Sequence, residues 1–312
     1  MPHKVAVISE FGDEGVDAFH ERVAGLGYEV VPFVFHDELA IELACAKPYA
    51  AIVFAQGEVA EDGLVESLLD LLGIPYIGSP ARSRAQAYDR STLAYAVDSL
   101  KLIGGGGLGG AHVPRGVALP LRLYDHWGLR TCLSDIVAGF PGGYPLVVRT
   151  LHQGKSVDSL AVKAADMLEL LEAIDEVHFH DEAVFLQEWV HGVHVSVAVL
   201  GQGRDAYALP PVKRGSSTPE PVPLQDLSAD EADAQAIRSE LERAAVEAHN
   251  AYGARGYSRV DLVWDGARAC VVEVDLAPAL VDGSAFALSC GVAGVTLDAV
   301  LRELVEQAAA RA

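Results

Sequence analysis

Short apolar runs alternate with helical patterns along the first 90 residues of the chain. Lys4–Ile8, Glu29–Phe33 and Ala50–Phe54 are predicted to be strands, because each run is short and mostly apolar. Apolar side chains recur at helical spacing between the first two strands, and Leu64–Leu72 predicts another helix. Strand–helix alternation predicts a parallel sheet with helices on both faces, and ligands bind at the carboxyl ends of such strands.

A polar pattern late in the chain predicts a hairpin. Two strands are expected on either side of Asp265-Gly266, a pair typical of a tight turn. Arg259 and Asp261 share one face of the first strand, and Glu273 and Asp275 share one face of the second. If these faces coincide, three carboxylates and one guanidinium converge, and hard oxygen donors suit Mg²⁺. An edge hairpin with polar residues in water fits the pattern equally well.

The middle of the chain offers a candidate phosphate-binding loop. Tyr144–Arg149 is predicted to be a strand that ends in a cation, and a polar loop with Gly154 and Lys155 follows it. Such a loop can fold over phosphates through its backbone N–H groups and its lysine. An ordinary surface hairpin has the same local pattern, and local grounds favour it.

Gly104–Gly110 contains a GxGxxG spacing, but Ala111–Pro114 cannot open a helix cleanly. We therefore interpret this glycine run as a linker. Further along, Ser228 and Glu231 match a capping box at the start of a long helix, and Thr296 is predicted to cap the final helix.

Composition narrows the class of protein. The 312 residues allow two or three domains, and 51% hydrophobic with 21% charged residues indicates a globular chain. A net charge of −21 argues against nucleic acid and anionic membranes as partners. The four cysteines form no CxxC pair and are expected to be reduced and mostly buried. With no signal peptide and no long apolar run, we expect a cytoplasmic protein.

Several segments together resemble the D-alanine–D-alanine ligases of the ATP-grasp superfamily. In chain order they are Gln56-Gly57 with Glu61-Asp62-Gly63, Leu72–Ser79, Asp89-Arg90, Tyr144–Arg149, Gly154–Val157, Glu188–Gly192, Arg259–Asp261 and Glu273–Pro278. Each segment is short, but their order and spacing extend along nearly the whole chain. The resemblance favours the metal-site interpretation of the hairpin over the edge-hairpin alternative.

The resemblance implies an ATP-grasp fold of α/β and α+β type. An N-terminal parallel α/β domain is expected at residues 1–88, a central α+β subdomain with a mobile lid loop at 89–187, and a C-terminal α+β subdomain with the metal site at 188–312. The implied activity transfers the γ-phosphoryl group of ATP to a carboxylate, and an amine then attacks the acyl phosphate to form an amide. The implied cofactors are ATP and two Mg²⁺ ions, the implied partners are amino-acid-like small molecules, and a homodimer is the implied assembly.

Positions that match the family's motifs receive roles through the same resemblance. Arg259, Lys155 and Ser156 are the implied catalytic residues, and Asp261, Glu273 and Asp275 are the implied metal ligands. The implied nucleotide-binding residues are Arg90, Arg149, Gln187, Glu188, Trp189, Val190 and His194. The implied substrate-binding residues are Glu14, Gln56 and Ser284, although a helix-capping serine explains the last equally well.

The chain departs from the family's pattern at several of these positions. Arg90 and Arg149 stand where lysines are usual, Asp275 replaces an asparagine, and His194 stands where a glutamate is usual. The loop at Lys213–Pro223 is short and lacks the expected tyrosine and lysine. These changes predict that the ATP machinery is partly kept while the amino-acid side is altered, so that the substrate is a non-standard amino acid of a specialised pathway.

Three other interpretations stay open from the sequence. The chain could join two ends of one substrate and so form a ring, bind nucleotide without catalysis, or keep only the fold as a partner subunit. Arg259, Asp261 and Glu273 favour catalysis, because burying these charges on facing strands would be costly without a bound cation.

Overall fold

A computed structural model describes residues 2–10, 12–13, 15–54, 62–104, 111–120, 127–153, 162–178, 180, 183–213, 220–221, 227–228 and 230–311. The strands are β1 Lys4–Ser9, β2 Glu29–Val34, β3 Ala50–Val53, β4 Gly116–Pro120, β5 Leu146–Thr150, β6 Val162–Ala164, β7 Ala183–Glu188, β8 Val193–Gly201, β9 Tyr207–Ala208, β10 Val212–Lys213, β11 Glu220–Pro221, β12 Gly256–Trp264 and β13 Ala269–Asp275. The helices are α1 Val16–Gly25, α2 Leu39–Ala46, α3 Leu64–Leu72, α4 Ala81–Tyr88, α5 Thr92–Gly104, α6 Trp127–Ala138, α7 Met167–His178, α8 Glu231–Ala251, α9 Ala285–Val292 and α10 Leu297–Ala309.

The first sheet is parallel, with strand order β2-β1-β3. Its central strand is buried on both faces, because side chains alternate across the sheet. Val5 and Val7 pack in a core with α1 and α10, whereas Ala6 and Ile8 pack in a second core with α2 and α3. The parallel sheet with helices on both faces, predicted from the apolar runs, is confirmed.

The second sheet is antiparallel, with strand order β4-β7-β5-β6. Its core contains Leu146 and Val148 from β5 and Leu170 and Ile174 from α7. The predicted strand that ends in Arg149 is therefore β5, which continues by one residue to Thr150. The predicted boundaries of the three domains remain a prediction, because sheet membership alone does not fix where a domain ends.

The third sheet has the order β11-β10-β8-β12-β13, with β9 paired to β8. Even-numbered residues of β12, such as Val260, pack on α8, whereas Tyr257 packs in the core of the first sheet. Ser258 also faces α8, where its hydroxyl lies 2.7 Å from Nδ1 of the buried His249. The odd-numbered face of β12 is thus turned toward the first sheet.

Two local predictions were wrong. The long helix α8 is capped by Asp230, which accepts hydrogen bonds from the N–H groups of residues 232 and 233. Ser228 instead accepts a bond from the N–H of Asp230, so it sits before the cap. Asp230 directly precedes the first helical residue, so its carboxylate can accept from N–H groups that have no partner within the helix. Thr296 does cap α10, as predicted.

The second wrong prediction concerns the cysteines. All four are free, but only Cys270 and Cys290 are buried, and Cys45 and Cys132 are exposed. Of the predicted glycine linker, residues 105–110 lie outside the described residues, and the preceding stretch ends α5. Within the described residues, no single helix has the length and apolar composition to cross a membrane, and one sharply bent pair, α9 with α10, passes that test only when joined.

Candidate functional site

The predicted hairpin is formed by β12 and β13, and its register brings the charged residues together. Arg259 lies opposite Asp275, and Asp261 lies opposite Glu273. A bulge follows Asp261, and beyond it the pairing shifts by one residue. Because Asp265 accepts hydrogen bonds from the N–H groups of residues 267 and 268, it fixes the turn. The convergence of the two polar faces is confirmed.

Arg259 lies between two of the three carboxylates. Its guanidinium is 3.4 Å from Oδ1 of Asp261 and 3.4 Å from Oδ2 of Asp275. Asp261 is almost fully buried, and it also accepts a 2.6 Å hydrogen bond from the hydroxyl of Ser196 on β8. Burial raises the pKa of Asp275, and the neighbouring Arg259 opposes that shift. Arg259 and Ser196 therefore hold the two aspartates in place.

Glu273 is contacted by two further arginines from outside the hairpin. A guanidinium nitrogen of Arg90 lies 3.2 Å from Oε1 of Glu273, and Arg149 donates to Oε2. All three side chains are more than nine-tenths buried. Arg90 also donates to the carbonyl oxygens of Thr150 and His152, at 3.0 and 2.7 Å, and to the hydroxyl of Thr150 at 3.1 Å.

The cluster of Arg90, Arg149, Arg259, Asp261, Glu273 and Asp275 carries three positive and three negative charges. We call these six residues the charge cluster. The sequence led us to expect that buried carboxylates here require a bound cation. The structure corrects this expectation, because three arginines of the chain itself offset the cost of burying the carboxylates. Burial of the carboxylates is therefore no evidence by itself for a metal ion.

The carboxylates can nevertheless contribute to a divalent-metal site. Asp261 and Glu273 are cross-strand neighbours with hard oxygen donors, and Mg²⁺ typically binds one or two carboxylates together with substrate phosphates. Within the described ranges, no group of three or more His, Cys, Asp or Glu side chains is placed to hold a metal ion. The residues thus fit a Mg²⁺ ion that takes further ligands from phosphates, and the metal roles of Asp261, Glu273 and Asp275 remain predictions.

The predicted adenine-binding segment leads from the second sheet into the third. Gln187 is buried in β7, and the N–H of Glu188 donates to the carbonyl of residue 115 at 2.9 Å. Trp189 and Val190 follow the strand and are half-buried. The ring of Trp189 lies 6.0 Å from that of His194 on β8, so the structure brings the predicted hinge residues and His194 together.

Three residues that contact this site were missed by sequence reasoning. The ammonium of Lys163 lies 4.7 Å from the centre of the Trp189 ring, which is a cation–π distance. The hydroxyl of Ser196 donates to Asp261, and the hydroxyl of Thr150 accepts from Arg90. The only sequence signal for Ser196 was that it is a polar residue within an apolar strand. Recognising it as the partner of Asp261 requires the register between β8 and β12.

Four predicted residues lie outside the described residues, namely Lys155, Ser156, Glu14 and Gln56. Ser284 is described, and it caps α9 by accepting a 3.1 Å hydrogen bond from the N–H of Ala287. This is the capping role that the sequence offered as its alternative. A role for Ser284 in substrate binding remains a prediction.

Comparison with known proteins agrees with this fold. Residues 131–218 match the family model described as D-ala D-ala ligase C-terminus. The D-alanine–D-alanine ligase of Pseudomonas putida (strain GB-1) is 30% identical over 297 residues, covering 91% of this chain and 85% of that protein. The enzyme of the same name from Halalkalibacterium halodurans is 27% identical over 301 residues, with 91% and 90% covered.

Solved structures resemble the whole chain in fold. A D-alanine–D-alanine ligase from Bacillus anthracis complexed with ATP superposes with a TM-score of 0.77 at 20% identity, covering 99% of this chain and 98% of that one. The VanG D-Ala:D-Ser ligase of Enterococcus faecalis gives a TM-score of 0.73 at 18% identity, with 98% and 99% covered.

A parallel α/β sheet followed by two antiparallel sheets that meet at a cluster of arginines and carboxylates is the architecture of an ATP-grasp ligase. Within that class, the chain belongs to the D-alanine–D-alanine ligase family, as its identity to the Pseudomonas putida enzyme over most of both proteins demonstrates. The predicted family, fold class and enzyme class are therefore confirmed.

Proposed function

We propose that the protein is an ATP- and Mg²⁺-dependent carboxylate–amine ligase that joins amino-acid substrates, at least one of them other than D-alanine. The observation that carries this proposal is the charge cluster, in which two buried carboxylates and the partly exposed Asp275 meet three arginines at the junction of the two antiparallel sheets. An ATP-dependent ligase needs such a set, because phosphate oxygens require cations and metal ions require carboxylates.

The neutrality of the charge cluster suggests how the site would accept its cofactors. ATP with two Mg²⁺ ions is also nearly neutral, so its binding would exchange partners without burying net charge. Arg90 and Arg149 would turn from Glu273 toward phosphate oxygens, which their planar guanidinium groups can bind in a bidentate manner. Glu273 and Asp261 would then be free to hold the metal, which supplies a Lewis acid for phosphoryl transfer.

The chain's own residues would then support two chemical steps. In the first, a substrate carboxylate attacks the γ-phosphorus, the bond to the bridging oxygen breaks, and ADP leaves. Arg259 would offset the negative charge that spreads over the transferred group. In the second, an amine attacks the acyl carbon, phosphate leaves, and the nitrogen loses a proton to give the amide. Exclusion of water matters here, because an acyl phosphate hydrolyses.

Three departures support the altered-substrate part of the proposal. Arg90 and Arg149 replace point-charge lysines with forked cations, and Asp275 adds a negative charge beside Arg259. The segment at 213–223 lacks the tyrosine and lysine that the resemblance leads one to expect. Arg90, Arg149 and Asp275 all belong to the charge cluster, so a different substrate is the simplest common cause of these changes.

The test measures ADP release with Mg²⁺, ATP and a panel of D- and L-amino acids, singly and in pairs. We expect turnover with at least one combination other than D-alanine alone, and loss of at least a hundredfold in kcat/KM for Asp261→Asn. Asp175→Asn, which changes an exposed aspartate of α7, is the matched control and should behave as wild type. Rapid dipeptide formation from D-alanine alone would refute the altered substrate, and no ADP release with any pair would refute the ligase.

A further inference from the structure

A buried ion pair lies between α3 and α4, outside the charge cluster. Glu66 on α3 and Arg84 on α4 are 3% and 4% exposed, and Nε of Arg84 lies 3.4 Å from Oε1 of Glu66. Burial raises the pKa of Glu66, and the guanidinium of Arg84 opposes that shift. Charged side chains are buried this deeply only when they are paired, and the pair as a whole is neutral.

The start of α3 allows the two helices to approach closely. Gly63 directly precedes α3 with a φ of +86°, and a Cβ at this position would lie 2.4 Å from the carbonyl oxygen of Ala81. A larger residue could not stand here without moving the start of α4. Glu66 follows Gly63 by one helical turn, and Arg84 follows Ala81 by one helical turn. The close contact between the two helix starts therefore brings the two charges together.

Arg84 also lies next to the charge cluster. It lines a small cavity between α4 and the end of β13, together with Tyr88, Gln153 and Asp275. The cavity is too small for anything larger than a water molecule. The N–H of Gln153 donates to the carbonyl of Tyr88 at 2.9 Å, and its side chain donates to the carbonyl of Val274 at 3.1 Å. Gln153 thus joins the end of α4 to β13 and keeps Arg84 beside Asp275.

Asp275 is therefore near two arginines, which act on it from different elements. Arg259 lies 3.4 Å from Oδ2 of Asp275 and is shared with Asp261, also at 3.4 Å. Burial raises the pKa of Asp275, and this shift is opposed by Arg259 and, to a smaller extent, by Arg84. An arginine held between two carboxylates has less positive charge to offer to a phosphate, unless another cation offsets one of those carboxylates.

We propose that Arg84 is a positioning residue, which offsets the charge of Asp275 and so leaves Arg259 available to the phosphates of the nucleotide. Glu66 fixes the guanidinium of Arg84 and keeps the buried pair neutral. Arg84 itself contacts neither nucleotide nor substrate in this arrangement. The interaction between Arg84 and Asp275 is independent of the reaction, and only its consequence for nucleotide binding rests on the proposed function.

The experiment replaces the whole pair, because Arg84→Met alone would leave Glu66 buried without a cation. Glu66→Met/Arg84→Met exchanges the pair for apolar side chains, a change that is often neutral for stability. This double variant is combined with Asp275→Asn in a mutant cycle. The control is Arg238→Met/Glu242→Met, which removes an ion pair from α8, on the opposite face of β12.

Two quantities are measured for every member of the cycle. One is the free energy of unfolding in urea without ligand, and the other is the dissociation constant of a Mg²⁺-bound, non-hydrolysable ATP analogue by calorimetry. Asp275→Asn should lower the unfolding free energy of wild type by more than that of Glu66→Met/Arg84→Met, where Asp275 has already lost one cation. In the control background, Asp275→Asn should have the same effect as in wild type.

The same cycle gives the consequence for nucleotide. Glu66→Met/Arg84→Met should bind the ATP analogue about five- to tenfold more weakly than wild type, because Asp275 then holds Arg259 more strongly. Adding Asp275→Asn should abolish this loss, so that the pair no longer matters once the carboxylate is gone. Glu66→Gln/Arg84→Gln is carried through the same cycle, so that a second neutral pair is available if the methionine variant does not fold.

Three results would overturn the inference. The first is additivity of the pair and Asp275→Asn in unfolding free energy. The second is a nucleotide affinity that the loss of the pair leaves unchanged. The third is a loss of affinity that is equally large with and without Asp275→Asn, since this would mean that the pair acts only through the fold. Non-additive unfolding free energies without nucleotide binding by any variant would support the interaction and refute the proposed ATP-dependent function.

Discussion

Glu273 offers the sharpest test of the charge cluster, because two guanidinium groups depend on it. The Glu273→Gln variant keeps the shape of the side chain and one acceptor oxygen but removes the negative charge between Arg90 and Arg149. Removing one partner of a buried ion pair typically lowers the free energy of unfolding by about 3–5 kcal/mol, because the remaining charge is left uncompensated. Arg90 retains three other oxygen acceptors, so we place the loss of unfolding free energy near the lower end, at about 3 kcal/mol.

The assay is urea denaturation monitored by circular dichroism. The slope of the unfolding free energy against urea concentration is compared between variants to check that the unfolding transition is the same. The control is Glu242→Gln, which breaks an ion pair between side chains four residues apart on α8, each of them 28% exposed. This partly exposed pair should contribute about 0.3–0.5 kcal/mol to the free energy of unfolding. A Glu273→Gln midpoint no lower than that of the control would refute the claim that Glu273 balances the arginines.

The same variant also tests whether Arg90 and Arg149 contact the triphosphate of ATP. With the carboxylate neutralised, Arg90 and Arg149 no longer have to give up an ionic partner to contact phosphate. ATP added without Mg²⁺ should therefore raise the midpoint of Glu273→Gln by more than it raises that of wild type. Equal shifts in the two proteins would mean that these arginines do not contact the triphosphate.

Two further outcomes are expected. Ser196→Ala removes the hydroxyl that donates to the buried Asp261, and it should cost about 1–3 kcal/mol in urea denaturation and weaken the binding of Mn²⁺-nucleotide measured by electron paramagnetic resonance. The control Ser99→Ala removes an exposed hydrogen bond to the carbonyl of Tyr95 within α5, and it should have neither effect. Burial lowers the pKa of His249 to about 4, against an ordinary value of about 6.5, so the unfolded chain binds the proton more readily. The contribution of neutral His249 to the free energy of unfolding is therefore present above about pH 6.5 and is lost as the pH drops toward 4, by about 2 kcal/mol between pH 7 and pH 5. Denaturation of His249→Gln at several pH values should show a weaker dependence of unfolding free energy on pH. An unchanged pH dependence in this variant would refute the role of His249.

Local patterns in the sequence were sufficient for the elements themselves. The apolar runs at the start of the chain became β1, β2 and β3, and Leu64–Leu72 became a helix with those bounds. The spacing of two within β12 and within β13 placed each pair of charged residues on one face of its strand. These features depend only on neighbours in the chain, and for that reason they could be read directly.

The partners of Glu273 and Asp261 were decided by tertiary structure alone. Arg90 and Arg149 lie 183 and 124 residues away from Glu273, and Ser196 lies 65 residues away from Asp261. The family resemblance implied that both arginines bind the nucleotide, but it did not indicate that they balance the carboxylates. Alternation fixes which face a side chain occupies, but only strand register and the packing of one sheet against another fix what that face meets.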